Sequence, residues 1–206
     1  LAHMWFGDLV TMKWWNDLWL NESFAEWAST IATAEATEWT EAWTTFQAME
    51  KSWAYKQDQL PSTHPIVATI NDLEDVQVNF DGITYAKGGS VLKQLAAWVG
   101  IDEFFAGVGN YFQKYEYGNT ELKDLLAELE LTSGRELTAW AASWLETAGV
   151  VTLSAEIETD DAGGITAFRV KQTAAPDDPF RRSHRLAIGL YDHGGAASKL
   201  QRVHRL

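Results

Sequence analysis

Two side chains near the start of the chain are of types that hold metal ions. His3 lies in Leu1-Ala2-His3-Met4-Trp5-Phe6-Gly7-Asp8, and Glu22 in Leu18-Trp19-Leu20-Asn21-Glu22-Ser23-Phe24-Ala25. Imidazole and carboxylate are both zinc donors. The two residues are nineteen positions apart, which along one straight helix is about 28 Å. They share a metal only where the chain doubles back between them. Gly7-Asp8 can end a first helix, Asp17 or Asn21 can start or steady a second, and Trp14 and Trp15 then pack where the two cross. Glu22 sits among apolar neighbours, and a charge on a buried helix face needs a partner. The plainer reading of the same residues is an N-terminal helix pair held by tryptophans, with His3 exposed and Glu22 solvated.

The elements that must position these residues read as helices up to about Ala148. Residues 18–34 and 38–58 are rich in Ala, Glu and Trp with few breakers, which favours helix. Pro61 and Pro65 open a loop that runs to about Asn79. Val91, Leu92, Leu95 and Trp98 recur at helical spacing within 83–99. Over 102–115, Phe104, Phe105, Val108 and Phe112 make one apolar face. Asn119 and Thr120 are placed to cap a helix over 121–131. Ser133 with Glu136 has the form of a capping box for a helix over 136–147, stopped by Gly149. Beyond Gly149 the period changes to two. Val151, Leu153, Ala155 and Ile157 alternate with polar residues, Asp160 to Gly164 makes a turn, and a second strand covers 165–173. A Pro/Asp loop follows around Pro176–Pro179, then strands at Leu186–Leu190 and 199–206. The expected fold is an α-helical unit, 1–148, joined to an incomplete antiparallel β-sandwich, 149–206.

Composition and charge narrow the function. The 206 residues are 46 % hydrophobic and 22 % charged, enough to build a core, so disorder is excluded as the general state. With no cysteine there is no disulfide scaffold, thiolate site or cysteine nucleophile, and a cytoplasmic setting is expected. No apolar run is long enough to span a bilayer. The net charge is −13: residues 1–168 carry 8 basic and 26 acidic side chains, and residues 169–206 carry 8 basic and 3 acidic. A strongly acidic segment repels phosphate, so nucleic acid is not an expected partner. Lys87-Gly88-Gly89-Ser90 lacks the strand and the glycine frame of a phosphate-binding loop.

The stretch L-A-H-x-W-F-G-D-L-V-T followed by W-x-N-D-L-W-L-N-E-S-F-A closely resembles the aminopeptidase N family of zinc metallopeptidases, which are thermolysin-like gluzincins. That family carries H-E-x-x-H, eighteen residues, then Glu. Leu1-Ala2-His3 matches the final x-x-H, residues 4–21 are the eighteen, and Glu22 falls on the third ligand. Asn79-Phe80-Asp81-Gly82-Ile83-Thr84-Tyr85-Ala86-Lys87-Gly88-Gly89 resembles the segment that bears the family's active-site tyrosine, so Tyr85 takes that role by resemblance. Without the resemblance, Tyr85 reads as a buried aromatic near a helix N-terminus. Trp144 to Val150 resembles the end of the helical catalytic subdomain, where a small β-sandwich begins.

The resemblance implies one Zn²⁺, peptide substrates with a free N-terminus and hydrolysis of the first peptide bond. The motif's first His and its general-base Glu fall upstream of Leu1, as does the segment that grips the substrate amine. The expectation is therefore a piece of an aminopeptidase, working with upstream and downstream domains of the same chain. By itself it would hold zinc weakly or not at all and be inactive. The rival reading is a non-catalytic helical binding or scaffolding module. A glycan-binding module is a second rival, set aside because most of the eleven tryptophans fall at core spacing. Glu26 reads as an exposed helix charge ahead of a partner for a metal ligand, and Asp8 is equally ambiguous. His64, before Pro65, reads as structural or cleft-lining. His184, His193 and His204 read as surface residues.

Overall fold

Trp19, Leu20, Phe24 and Trp27 fall along one side of a helix of period 3.6, and that side decides where the helix goes. In the computed structural model, which describes residues 1–174, 180–192 and 199–205, they belong to α1, Trp19–Ala36, and are all buried. Their partners are Val91, Leu92, Leu95, Ala96 and Val99 on α5, Gly88–Val99, and Phe104 on α6, Ile101–Tyr115. Phe24 and Phe104 stack at 6.2 Å, and Trp27 meets Phe104 edge-on at 4.9 Å. The α6 face that turns inward is Phe104, Val108 and Tyr111; Phe105, expected on it, is half exposed.

Before α1 the chain does double back, though not as two crossing helices. Ala2–Met4 is a single 3-10 turn, Gly7 at φ +127° reverses direction, and β1, Val10–Met12, leads to a second 3-10 turn at Trp15–Asp17. β1 pairs in parallel with β2, Gly118–Thr120. Asn119 and Thr120 are therefore ladder residues and do not cap a helix. That function falls to Glu121, which forms a capping box with Asp124 at the start of α7, Leu122–Ser133. Trp14 and Trp15 do not pack at a helix crossing: Trp14 is exposed and donates to the Ile70 carbonyl, and Trp15 covers Ala68, Ile70 and Val76.

Residues 38–58 form two helices instead of one, α2, Ala42–Ala48, and α3, Glu50–Gln57, broken at Met49. The break turns both Phe46 and Ala54 inward; on one straight helix these positions point roughly 80° apart. The expected loop to Asn79 contains a short helix, α4, Leu73–Val78, started by Asp72, whose side chain accepts from Glu74 N and Asp75 N. Ser133 ends α7, donating to Leu129 O, and Gly134 adopts the left-handed conformation that closes the helix. Glu136 accepts from Thr138 N at the start of α8, Thr138–Leu145.

The chain after Gly149 forms two antiparallel hairpins. β3, Val151–Thr159, pairs with β4, Ile165–Ala174, and β5, Ala187–Asp192, pairs with β6, Lys199–Arg205. Among the described residues the hairpins do not join into one sheet, and Leu153, Ile157 and Ile165 are exposed. The expected loop around Pro176–Pro179 lies outside the described residues. No helix among the described residues is long and apolar enough to cross a membrane.

Candidate functional site

The double-back brings His3 and Glu22 together. His3, on the first 3-10 turn, places Nε2 at 3.3 Å from Glu22 Oε2 in the first turn of α1. The His3 Nδ1 lies 3.0 Å from the Phe6 carbonyl, which fixes the ring and leaves Nε2 as the atom facing the carboxylate. The His3 side chain is 52 % exposed and that of Glu22 13 %, so the pair opens to solvent on the imidazole side. The separation fits a zinc site: two donors at 2.0–2.1 Å on a tetrahedral ion stand about 3.3–3.4 Å apart. Among the described residues no third His, Cys, Asp or Glu completes a cluster that could hold a metal. The structure thus supplies two donors that fit the metal.

Tyr85 faces the same carboxylate. Burial, then the hydrogen-bonding pull and charge of Glu22, then the charge of Glu26, push its phenol pKa far above the usual range. The hydroxyl is a proton donor at any physiological pH. Tyr85 sits on a π turn, Ile83–Lys87, in which the Lys87 N–H reaches back five residues to the Gly82 carbonyl at 2.9 Å. Such turns widen a helix locally and re-aim a side chain. Here the turn runs straight into α5.

The π turn is braced from outside. Asp81 Oδ1 accepts from Ile83 N at 2.9 Å and Thr84 N at 3.1 Å, and Oδ2 accepts from Gln57 and from His64 Nε2, the latter at 2.8 Å. His64 Nδ1 donates to the Pro65 carbonyl at 2.7 Å. Both ring nitrogens face acceptors, so His64 is held as an imidazolium. Burial alone would lower its pKa, but the hydrogen bonds to Asp81 and Pro65 and the Asp81 charge outweigh that and raise it. The sign follows from linkage. A raised folded-state pKa stabilises the fold fully below the unfolded value, near 6.5, and that contribution is lost as pH rises through the folded value. Thermal melts of the wild type and His64→Gln are expected to differ most at about pH 6 and to converge at alkaline pH. A difference that grows with pH would contradict the imidazolium.

On its far side the turn is anchored by Lys87. Its ammonium pairs with the buried Asp58 at 2.9 Å and lies 3.4 Å from the Thr147 carbonyl. Asp58 also accepts from Thr63 Oγ1 and Gly149 N. Arg182 binds the carbonyls of Ser143 in the last turn of α8 and of Thr147, Ala148 and Gly149 beyond it, so the junction with the β region is tied to the turn that carries Tyr85. Little in the local sequence signals Asp58 or Arg182, because Lys87 and Gly149 lie 29 and 91 residues from Asp58 and the carbonyls that the Arg182 guanidinium binds lie 33 to 39 residues before it.

Glu26 borders this group, and the other candidates fall outside it. Glu26, one turn beyond Glu22, is half-buried, and burial and the facing Glu50 raise its pKa. Asp8 is exposed. His184, read as a surface residue, packs edge-on against Trp144 at 5.1 Å, and burial followed by the nearby Arg182 charge lowers its pKa. His204 lies on β6, and His193 lies outside the described residues. The tryptophans divide: Trp19, Trp27, Trp140 and Trp144 are buried, while Trp5, Trp14, Trp39 and Trp53 are exposed.

Comparison with known proteins identifies the family of the chain. Residues 1–144 match the peptidase family M1 domain. Aminopeptidase N of Streptomyces lividans is 59 % identical over 214 aligned positions, covering 100 % of this chain and 25 % of that protein. Probable aminopeptidase 2 of Sulfurisphaera tokodaii is 43 % identical over 145 positions, 70 % of this chain and 19 % of its own length. Aminopeptidase 2, mitochondrial, of Saccharomyces cerevisiae is 36 % identical over 170 positions, 82 % of this chain and 17 % of its own length. The chain spans a quarter or less of the length of these relatives. With the family model matched over more than half of its residues, this chain belongs to peptidase family M1, the family of aminopeptidase N.

Proposed function

We propose that this chain carries part of the active site of a zinc aminopeptidase that removes N-terminal residues from peptides. The observation that supports the reading is the convergence of His3 Nε2 and Glu22 Oε2 at 3.3 Å, with the Tyr85 hydroxyl turned to the same carboxylate. His3 and Glu22 are two of the donors for a zinc ion, which when bound acidifies water and polarises the scissile carbonyl. Tyr85, held protonated, donates a hydrogen bond to the oxyanion that develops on the substrate carbonyl. The Phe6 carbonyl orients the His3 ring, and the Asp81 brace holds the turn that aims Tyr85. Residues 1–148 are then the C-terminal helical part of a thermolysin-like catalytic domain, and 149–206 part of a β-sandwich. A cytoplasmic setting is in keeping with the lack of cysteine.

The third protein ligand and the general base belong, on this reading, to a longer protein. Elemental analysis of the 206-residue chain is expected to give well under one zinc per chain and no release of amino acids from peptides. The longer protein is expected to hold one zinc per chain and to release N-terminal residues. His3→Phe or Glu22→Gln in it should remove the metal and the activity together. Full zinc content in both variants would sink the metal assignment. Zinc without hydrolysis in the longer protein would favour a binding or scaffolding role.

A further inference from the structure

Glu22 and Tyr85 come from elements 63 positions apart in sequence, so something must set their distance. The residues next to them do so. Ser23, fully buried, donates from Oγ to the Thr84 carbonyl at 2.6 Å. The π turn takes the usual helical donor away from Thr84 O. In a regular helix the Gly88 N–H would serve it, but here that N–H goes to the Ile83 and Tyr85 carbonyls. A hydroxyl from α1 therefore meets a carbonyl released by the widening of the turn.

Gly88 makes the approach possible. A Cβ at position 88 would lie 1.9 Å from Ser23 Oγ and 2.7 Å from Ser23 Cβ, a contact that cannot exist. Position 88 is at ordinary helical dihedrals, so it is close approach that requires glycine there. The Ser23 hydroxyl and the Thr84 carbonyl meet at one point between α1 and the turn, one residue from Glu22 on one side and one from Tyr85 on the other, where Gly88 leaves room for them.

We propose that Ser23 is a positioning residue for the peptidase site: its hydrogen bond to Thr84, admitted by Gly88, sets the placement of Tyr85 against Glu22. Ser23 touches neither metal nor substrate and acts through its two neighbours. The proposal rests on the reading of Glu22 and Tyr85 given above for their roles, but the geometry it asserts is testable without zinc or activity.

The test uses the 206-residue chain with tyrosine labelled at the ring ε carbons. Its six tyrosines give separable ring signals, and that of Tyr85 is the one lost in Tyr85→Phe. In Ser23→Ala the Tyr85 signal is expected to shift by more than its linewidth and to lose its nuclear Overhauser contacts to α1, while the Tyr111 signal stays in place. Ser133→Ala is the control, since it removes an equally short hydroxyl–carbonyl bond, to Leu129 O at 2.6 Å, on α7. It should leave Tyr85 unmoved. Ser23→Gly, which introduces no new contact, carries the same readout if Ser23→Ala does not fold. An unmoved Tyr85 signal in the Ser23 variants, or an equal shift in Ser133→Ala, would overturn the proposal. Failure of the zinc and peptidase measurements with a shifted Tyr85 signal would instead overturn the roles assigned to Glu22 and Tyr85.

Discussion

Asp58→Ala is expected to destabilise the fold by about 3–5 kcal/mol, the usual cost of removing one partner of a buried ion pair. For a chain of this size that is a fall in unfolding midpoint of roughly 6–20 °C. The Asp58 side chain is 4 % exposed and that of Lys87 10 %, so neither charge can be satisfied by water when the other is removed. Asp58 also takes the Thr63 hydroxyl and the Gly149 amide, and both lose their acceptor. The pair itself is not expected to contribute as much as its breakage costs, since the desolvation of two charges offsets most of their attraction. That difference gives the decisive measurement. Asp58→Asn and Lys87→Met should each be costly, and the double variant should cost clearly less than their sum, because it leaves no charge behind. Additive losses in denaturant titrations would mean the two groups do not depend on one another.

The site was partly legible because its spacing is local in character. The residue types and spacing of His3 and Glu22 allowed a shared metal only where the chain doubles back, and it was the resemblance of the flanking sequence that paired them. How the chain reverses was not legible. β1 exists because Val10, Thr11 and Met12 find Gly118, Asn119 and Thr120 in register, a pairing across more than a hundred residues that no window of sequence contains. The same pairing removed Asn119 and Thr120 from the capping role their types favour, and gave it to Glu121. The long helices read correctly wherever the apolar stripe was continuous, as in α1, α5 and α6. They read wrongly where the stripe changed direction, as at Met49. α4 shows only Val76 to the core, so periodicity is silent there, although Asp72 followed by acidic residues is a start signal that could have been used. Arg182 illustrates the last class: its guanidinium caps carbonyls more than thirty residues earlier, and in sequence it is one basic residue among several.

The second large effect concerns turnover. On the proposed function, Tyr85→Phe in the longer, zinc-loaded protein is expected to lower kcat by about 10²–10³, the loss typical of one oxyanion donor and equal to ~2.7–4 kcal/mol of barrier. The change deletes a single oxygen. The ring stays, with its contact to Phe80 at 6.3 Å, and so do the Asp81 and Lys87 anchors of the turn. Zinc content should be unchanged, because His3 and Glu22 keep their places, and KM should move little, because the donor acts on charge that appears only in the transition state. A purely structural tyrosine would show the reverse pattern, with a lowered melting point and kcat altered only in proportion to the folded fraction. Removal of the hydroxyl also takes a polar neighbour from Glu22. If Tyr85 served mainly to hold that carboxylate, zinc would be lost along with activity. Metal content and kcat measured on the same samples therefore separate the three roles, and only a fall in kcat at constant zinc assigns the oxyanion to Tyr85.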